Sequence, residues 1–178
     1  AAFFQSVTTR TAGFNTVDIS SFSQAGLLFA MLLMFIGASP GSTGGGIKTT
    51  TTFALLLSLG SLMFRRESAA FKRKVSGESI LKAFQVLLLS FLLVLLGSLS
   101  LLLIEQDAFD FVAVLFETVS AFATVGLSCG ITPSLSTLSK VVLVVIMFAG
   151  RVGPITIATS LKAKSSHLGY IEEQIFIG

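Results

Sequence analysis

The stretch Phe116-Glu-Thr-Val-Ser-Ala-Phe-Ala-Thr-Val-Gly126 is echoed at the start of the chain by Phe4-Gln-Ser-Val-Thr-Thr-Arg-Thr-Ala-Gly13. The two copies align at an offset of 112 over their first four residues. One residue of slippage then gives 113, which puts Thr11-Ala12-Gly13 on Thr124-Val125-Gly126. The same offset carries Met34-Phe35 onto Met147-Phe148, Gly37 onto Gly150 and Thr43 onto Thr156. Coincident Thr-x-Gly and Met-Phe-x-Gly signals in one register mark an internal repeat. Each copy reads as a short helix, a T-x-G segment, and an inner helix interrupted after Met-Phe-x-Gly. The fold class this predicts is an all-α membrane protein.

The solvent for this repeat is lipid. Apolar residues make up 53% of the 178, charged residues 12%, and the mean hydropathy is +0.91. Residues 19–47 and 83–104 contain no ionisable side chain. Each run exceeds the roughly 20 residues that cross a hydrocarbon core about 30 Å thick. The pattern predicts helices over 3–9, 23–38, 50–64, 80–104, 109–123 and 138–161, the last bent at Arg151-Val-Gly-Pro154. The stretch 3–9 is the end of a short helix and 109–123 is another, too short to cross; both begin near the outer side, so each must dip in and return as a pore loop. The chain begins Ala1-Ala2-Phe3-Phe4 without an initiator Met or a basic leader. It reads as a piece of a longer protein, with an outer helix preceding only its second copy.

A pI near 9.3 raises the question of nucleic acid, but the charges are grouped as in a membrane protein. Arg65, Arg66, Lys72, Arg73, Lys74 and Lys82 fall in one connection. The next connection carries Glu105, Asp107 and Asp110 and no base, and Lys162 and Lys164 follow the last apolar run. The positive-inside rule puts loop 65–82 and the C-terminus in the cytoplasm and 105–110 outside. The lone Cys129 excludes an internal disulfide, and one Cys with one His cannot build a structural metal site. Cys129 and His167 read as a small residue behind the second T-x-G segment and a surface residue.

Irregular backbone within a membrane costs several kcal/mol for each unpaired N–H or C=O, so it persists only inside protein or beside water. A cation site uses that backbone, because carbonyl oxygens replace the ion's hydration shell. Such a strand needs Gly where successive carbonyls must share a side, and a small hydroxyl residue at its inner end. Thr124-Val125-Gly126 meets this and matches the first three residues of a potassium-channel filter, continuing as Leu127-Ser128 rather than Tyr-Gly. Thr11-Ala12-Gly13-Phe14 is a looser version. The C-terminal ends of the short helices, pointing inward, add a partial negative charge. The bland alternative is that Gly13 and Gly126 merely end helices. Arg10 would repel a cation, which predicts that it turns away and pairs with Glu117 or Asp18.

Gly41-Ser-Thr-Gly-Gly-Gly-Ile-Lys48 superficially resembles a phosphate-binding loop. That motif needs Gly and Lys adjacent after a strand; here Ile47 intervenes and an apolar helix precedes. The stretch reads instead as an unwound part of a membrane helix bordering a cavity. Lys48 has half a helix of apolar residues still to come, so it faces protein or water rather than snorkelling. Arg151 either snorkels or, with Gly44, Gly45, Gly46 and Lys48, forms an electrostatic barrier below the filter. No carboxylate pair, His cluster or true P-loop supports an enzyme. An alternating-access carrier also uses broken helices and repeats, but a parallel repeat entered from one side favours a pore.

Together with Thr8-Thr-Arg-Thr-Ala-Gly-Phe-Asn-Thr16, Ala123-Thr-Val-Gly-Leu-Ser-Cys-Gly-Ile-Thr132, Gly150-Arg-Val-Gly-Pro154 and the ending Tyr170-Ile-Glu-Glu-Gln-Ile-Phe-Ile-Gly178, these motifs resemble the Trk/Ktr/HKT cation-transporter superfamily, and most of all the membrane subunits of bacterial Ktr potassium uptake systems. The resemblance implies four outer-helix, pore-helix, filter and inner-helix repeats around one pore. Residues 1–64 would then be the third repeat, 65–79 a cytoplasmic loop, 80–165 the fourth repeat, and 166–178 a cytoplasmic tail. Thr11, Ala12, Gly13 and Phe14, with Thr124, Val125, Gly126 and Leu127, would be two filter strands binding K+ through carbonyls. Residues 39–49 would be an intramembrane gating loop with Arg151 opposite it. The resemblance also implies K+ as transported ion with Na+ as an activator in some members. It further implies a homodimer in the bacterial plasma membrane and a cytosolic ring of nucleotide-binding regulatory subunits, with Glu172–Gly178 near that contact. Two repeats supply only half a filter, so two more are expected upstream.

Overall fold

A computed structural model describes residues 2–64, 68–70, 73–106, 108–153 and 156. Pro154, Lys162, Lys164, His167 and the tail 166–178 lie outside the described residues, as do Arg65, Arg66, Lys72 and Asp107. Six helices carry the architecture: α1 Ala2–Thr8, α2 Gln24–Phe35, α3 Thr49–Phe64, α4 Gly77–Glu105, α5 Phe111–Phe122 and α6 Thr137–Val152. A short hairpin pairs Ala69 with Lys74 and Ala70 with Arg73 inside the basic connection, which the charge pattern alone does not foretell. The described residues are otherwise helical or irregular.

The predicted helix starts lie within a few residues of the observed ones because local chemistry sets them. Ser23, Ser76 and Ser136 cap α2, α4 and α6, each accepting a backbone N–H three residues on; such caps are worth about 1 kcal/mol. Asp110 caps α5 by accepting from the Val112 N–H at 3.2 Å. The caps at Ser23 and Ser136 are separated by the repeat offset. So are the 3₁₀ turns Ile19–Ser21 and Thr132–Ser134 that precede them. The repeat is therefore structural, down to its turns.

Among the described residues only α4 is long and apolar enough to cross a membrane by itself. Its outward face presents Leu81, Phe84, Leu88, Phe91, Leu95 and Leu99, as expected of a helix whose outer solvent is lipid rather than water. Its inward face combines the small residues Ala83, Ser90, Gly97 and Ser98 with Val94 and Leu101. Gly97 lets α4 approach so closely that a Cβ there would strike Ile146 and come within 3.0 Å of Thr118, a small-residue contact typical of membrane helices. Glu105 ends α4 and accepts from the Ser136 N–H at 2.9 Å and from the Ser139 hydroxyl, so one carboxylate joins α4 to the start of α6. Helix α5 lies between α4, α6 and α2, with Val114, Phe116, Thr118 and Phe122 fully buried.

The expected interruption of the first inner helix is present and is closed at its neck. The Gly37 N–H donates to Ile47 O at 2.8 Å, Ile47 N–H to Phe35 O at 3.1 Å, and Thr49 N–H to Ala38 O at 3.3 Å. Residues 38–46 therefore leave and rejoin the helical path at nearly one point. Proline at 40 and glycines at 41, 44, 45 and 46 make resumption of the helix costly. The polar backbone this exposes must find partners locally.

Candidate functional site

Both T-x-G segments adopt the same unusual backbone. Thr11 and Thr124 have φ of 64° and 54°, and Gly13 and Gly126 have φ of 73° and 93°, while the residue between each pair is not left-handed. Alternation of this kind turns successive peptide groups toward common sides. Glycine accepts a positive φ freely, but a β-branched threonine is an outlier there, costing of order 1–3 kcal/mol. The sequence pointed to the glycines. The strain at the two threonines is visible only in the fold.

The helices α1 and α5 hold these segments by bonds to their last turns. Gly13 N–H donates to Thr8 O at 3.2 Å, and Val125 N–H to Ser120 O at 3.0 Å. The Thr8 hydroxyl donates to Phe14 O at 2.6 Å. The strands face each other closely: a Cβ on Gly13 would strike the Val125 carbonyl oxygen. Phe14 and Leu127, equivalent by the repeat, part company, with Phe14 72% exposed and Leu127 2% exposed in the core.

The glycine-rich loop lies against both threonines. Gly45 N–H donates to the Thr124 hydroxyl oxygen at 3.0 Å. A Cβ on Gly45 would fall 2.8 Å from that oxygen and 2.9 Å from Ala123 O, and one on Gly44 would fall 3.0 Å from Thr11 Cγ2. Glycine is required here for close approach. Lys48 turns into the loop, donating through Nζ to Gly44 O at 2.7 Å and Ser42 O at 3.2 Å, so its ammonium is met by carbonyls rather than by lipid. Thr11, Thr124, Gly44, Gly45 and Lys48 thus form one cluster.

Two basic residues stand apart from it. Arg151, on the last turn of α6, is exposed and makes no hydrogen bond or ion pair among the described residues. Its neighbour Gly150 packs on α5 so tightly that a Cβ would strike Phe122 O. Phe122 packs against Phe35, with ring centroids 5.8 Å apart, which ties the end of α5 to the neck of the loop. The expected pairing of Arg10 with Glu117 or Asp18 is not found. Arg10 is exposed, Asp18 accepts from Ser20 N–H at 3.0 Å, and Glu117 is filled by hydroxyl and amide donors.

Glu117 is the residue that reasoning from sequence undervalued. It is 5% exposed and accepts from the Ser128 hydroxyl, from Cys129 N–H at 3.0 Å, and from Thr132 Oγ1 at 2.9 Å. A lone carboxylate in a short apolar helix is itself a signal, since such groups are costly in a membrane unless fully partnered. Cys129, in the irregular limb beyond the second strand, has its thiol pushed up to about 11 by burial and by the charges of Glu117 and Asp18.

Comparison with known proteins agrees with this architecture. The family model described as TrkH, cation transport protein, matches residues 1–168. The chain is 43% identical over its full length to Ktr system potassium uptake protein B of Bacillus subtilis, covering 40% of that protein. It is 38% identical over 99% of its length to the potassium/sodium uptake protein NtpJ of Enterococcus hirae, covering 41%. It thus spans about two fifths of the length of these curated relatives. The crystal structure of the potassium transporter TrkH from Vibrio parahaemolyticus has the same fold, with a TM-score of 0.70 and 24% identity over 90% of this chain and 36% of that one. Helices, repeat and matched residues agree that this chain belongs to the TrkH family of cation transport proteins, a family of membrane transporters and not of enzymes.

Proposed function

We propose that this chain forms half of the pore of a potassium uptake protein, as its third and fourth pore repeats. Residues 1–64 make one repeat, 80–165 the other, 65–79 a cytoplasmic loop and 166–178 a cytoplasmic tail. Carbonyls of Thr11, Ala12, Gly13 and Phe14 and of Thr124, Val125, Gly126 and Leu127 line the K+ path. The loop carrying Gly44, Gly45, Gly46 and Lys48 closes it from the cytoplasmic side, with Arg151 as a further positive charge near the exit. The observation that carries this reading is the bond from Gly45 N–H to Thr124 Oγ1. In this arrangement an N–H dipole faces the hydroxyl that would otherwise bind the innermost ion. The relatives are named for uptake of potassium, or of potassium and sodium, which supports K+ as the ion and leaves Na+ as cotransported ion or activator to measurement. The relatives' naming as parts of a Ktr system supports a membrane subunit that works with other proteins; a homodimer and a cytosolic ring of nucleotide-binding subunits are the partners proposed for it. The site is the bacterial plasma membrane, crossed several times, with 65–82 and the C-terminus inside.

The test is ion uptake by the full-length protein in cells lacking their own K+ uptake. Gly126→Ser should lower the preference for K+ over Na+, because a side chain at φ 93° distorts the strand. Unaltered preference would refute the filter. Deleting 41–46 should raise flux, and unchanged flux would sink the gate. Flux saturating at carrier-like turnover would favour alternating access instead.

A further inference from the structure

Beyond Gly126 the second strand leaves through a limb with little stiffness of its own. Gly126 and Gly130 take φ of 93° and 88°, conformations that glycine enters and leaves easily. A strand that must keep its carbonyls from closing on a smaller ion needs its rigidity supplied from outside. Glu117 is placed to supply it. Its Oε1 accepts from the Ser128 hydroxyl and Cys129 N–H, and its Oε2 accepts from the Thr132 hydroxyl. Ser128 Oγ also accepts from Gly130 N–H at 2.9 Å and lies 3.0 Å from Thr132 Oγ1. One carboxylate therefore gathers the whole limb 128–132 onto the middle of α5. Bonds to an ionised acceptor are about twice as strong as neutral ones.

The first copy provides the contrast. Gln5 stands at the position of Glu117, and both polar atoms of its amide are buried without a partner among the described residues. There the limb is held by Thr8 on Phe14 O and by Val17 N–H on Asn15 Oδ1 at 3.2 Å.

We propose that Glu117 is a positioning residue for ion selection: by clamping Ser128, Cys129 and Thr132 it fixes the outer end of strand 124–127 and thereby sets the preference for K+ over Na+. This rests on the filter reading above. Glu117 itself touches no ion and acts through the limb it holds.

The test uses the full-length protein with its partner subunits in uptake-deficient cells, measuring K+ uptake and its competition by Na+. Glu117→Ala should lower the K+-over-Na+ ratio about tenfold, the scale of one lost charge-assisted bond, with a higher KM for K+ and little change in Vmax per protein at the membrane. Loss of folded protein alone would lower Vmax and leave ratio and KM unmoved. Glu117→Gln keeps an acceptor for Ser128 and Cys129 and can donate to Thr132 Oγ1, so it should restore the ratio to within about twofold. The pair Ser128→Ala with Thr132→Val removes two donors, leaves the carboxylate in place, and should shift the ratio the same way; it carries the test if Glu117→Ala does not reach the membrane. An unmoved ratio in these variants overturns the clamp, as does a Glu117→Gln as damaged as Glu117→Ala, which would assign the effect to charge. Gly126→Ser separates the two readings. If it moves the ratio and the clamp variants do not, only the clamp fails; if it does not, the filter falls and the clamp with it.

Discussion

The two copies of the T-x-G unit share their dihedrals and their turns but differ in what holds the chain around them. In the second copy Glu117 ties down the limb that follows the T-x-G segment, and α6 runs on through Gly150. In the first copy Gln5 stands in the place of Glu117 and has no partner among the described residues, and the inner helix stops at Phe35. The equivalent glycines show how one local rule serves two ends. Gly150 admits the backbone of the pore helix, and Gly37 admits the chain's own loop at Gly45 O. The glycine of the second copy is thus locked against a neighbouring helix, and that of the first is met by the loop its own helix gives rise to.

Substitution at those two glycines should break the comparison most forcefully. Gly150→Ala forces a Cβ onto Phe122 O inside a packed helix pair, where neither backbone can retreat. Overpacking of this kind costs about 1–3 kcal/mol, so folded yield and the unfolding temperature in detergent should fall. Gly37→Ala meets the Gly45 carbonyl in the loop proposed above as the gate. It should cost less stability and raise resting ion leak instead, and an equal loss of stability in both would remove the asymmetry.

A smaller effect should separate the two threonines. Thr124→Val leaves Gly45 N–H without its acceptor, a penalty of about 1–3 kcal/mol for a buried donor. The Thr11 hydroxyl donates to its own neighbour Arg10 O at 2.7 Å, so Thr11→Val leaves the loop's bonds intact. A Ser42→Cys probe on the loop should therefore become more accessible to thiol reagents with Thr124→Val than with Thr11→Val.

The mildest contrast is chemical. With its thiol raised to about 11, Cys129 should alkylate about 100-fold more slowly at neutral pH than an ordinary cysteine. Its rate should keep climbing through pH 9 to 10, where an ordinary thiol levels off, because a raised value means that the thiolate appears only as the pH nears 11. Thr16, the equivalent residue, is exposed; Thr16→Cys in a Cys129→Ser background should react at the ordinary rate. Equal rates, read by mass spectrometry, would contradict the burial of the second limb.

Much of this molecule was legible in its residues, for reasons that are local. Helix starts followed from Ser and Asp caps, and the break in the first inner helix from Pro40 and its glycines. What misled was distance. Arg10 suggested a carboxylate partner, yet Glu117 is saturated by Ser128, Cys129 and Thr132 across an irregular limb that no periodicity describes. The strain at Thr11 and Thr124 was invisible for a similar reason: a threonine there is chosen for its hydroxyl, and only the finished backbone shows its φ.

By itself the sequence determined the solvent, the helices, the repeat and the residue types at the T-x-G segments, since apolar run length, capping and offset are properties of neighbours along the chain. Only the tertiary structure decided that Gly45 meets Thr124, a bond spanning 79 positions, that Lys48 folds into the loop beside it, and that Glu117 holds the second limb. Those contacts depend on how separate elements pack, because a hydrogen bond needs its partners within about 3 Å, and pattern along one chain cannot supply that closeness.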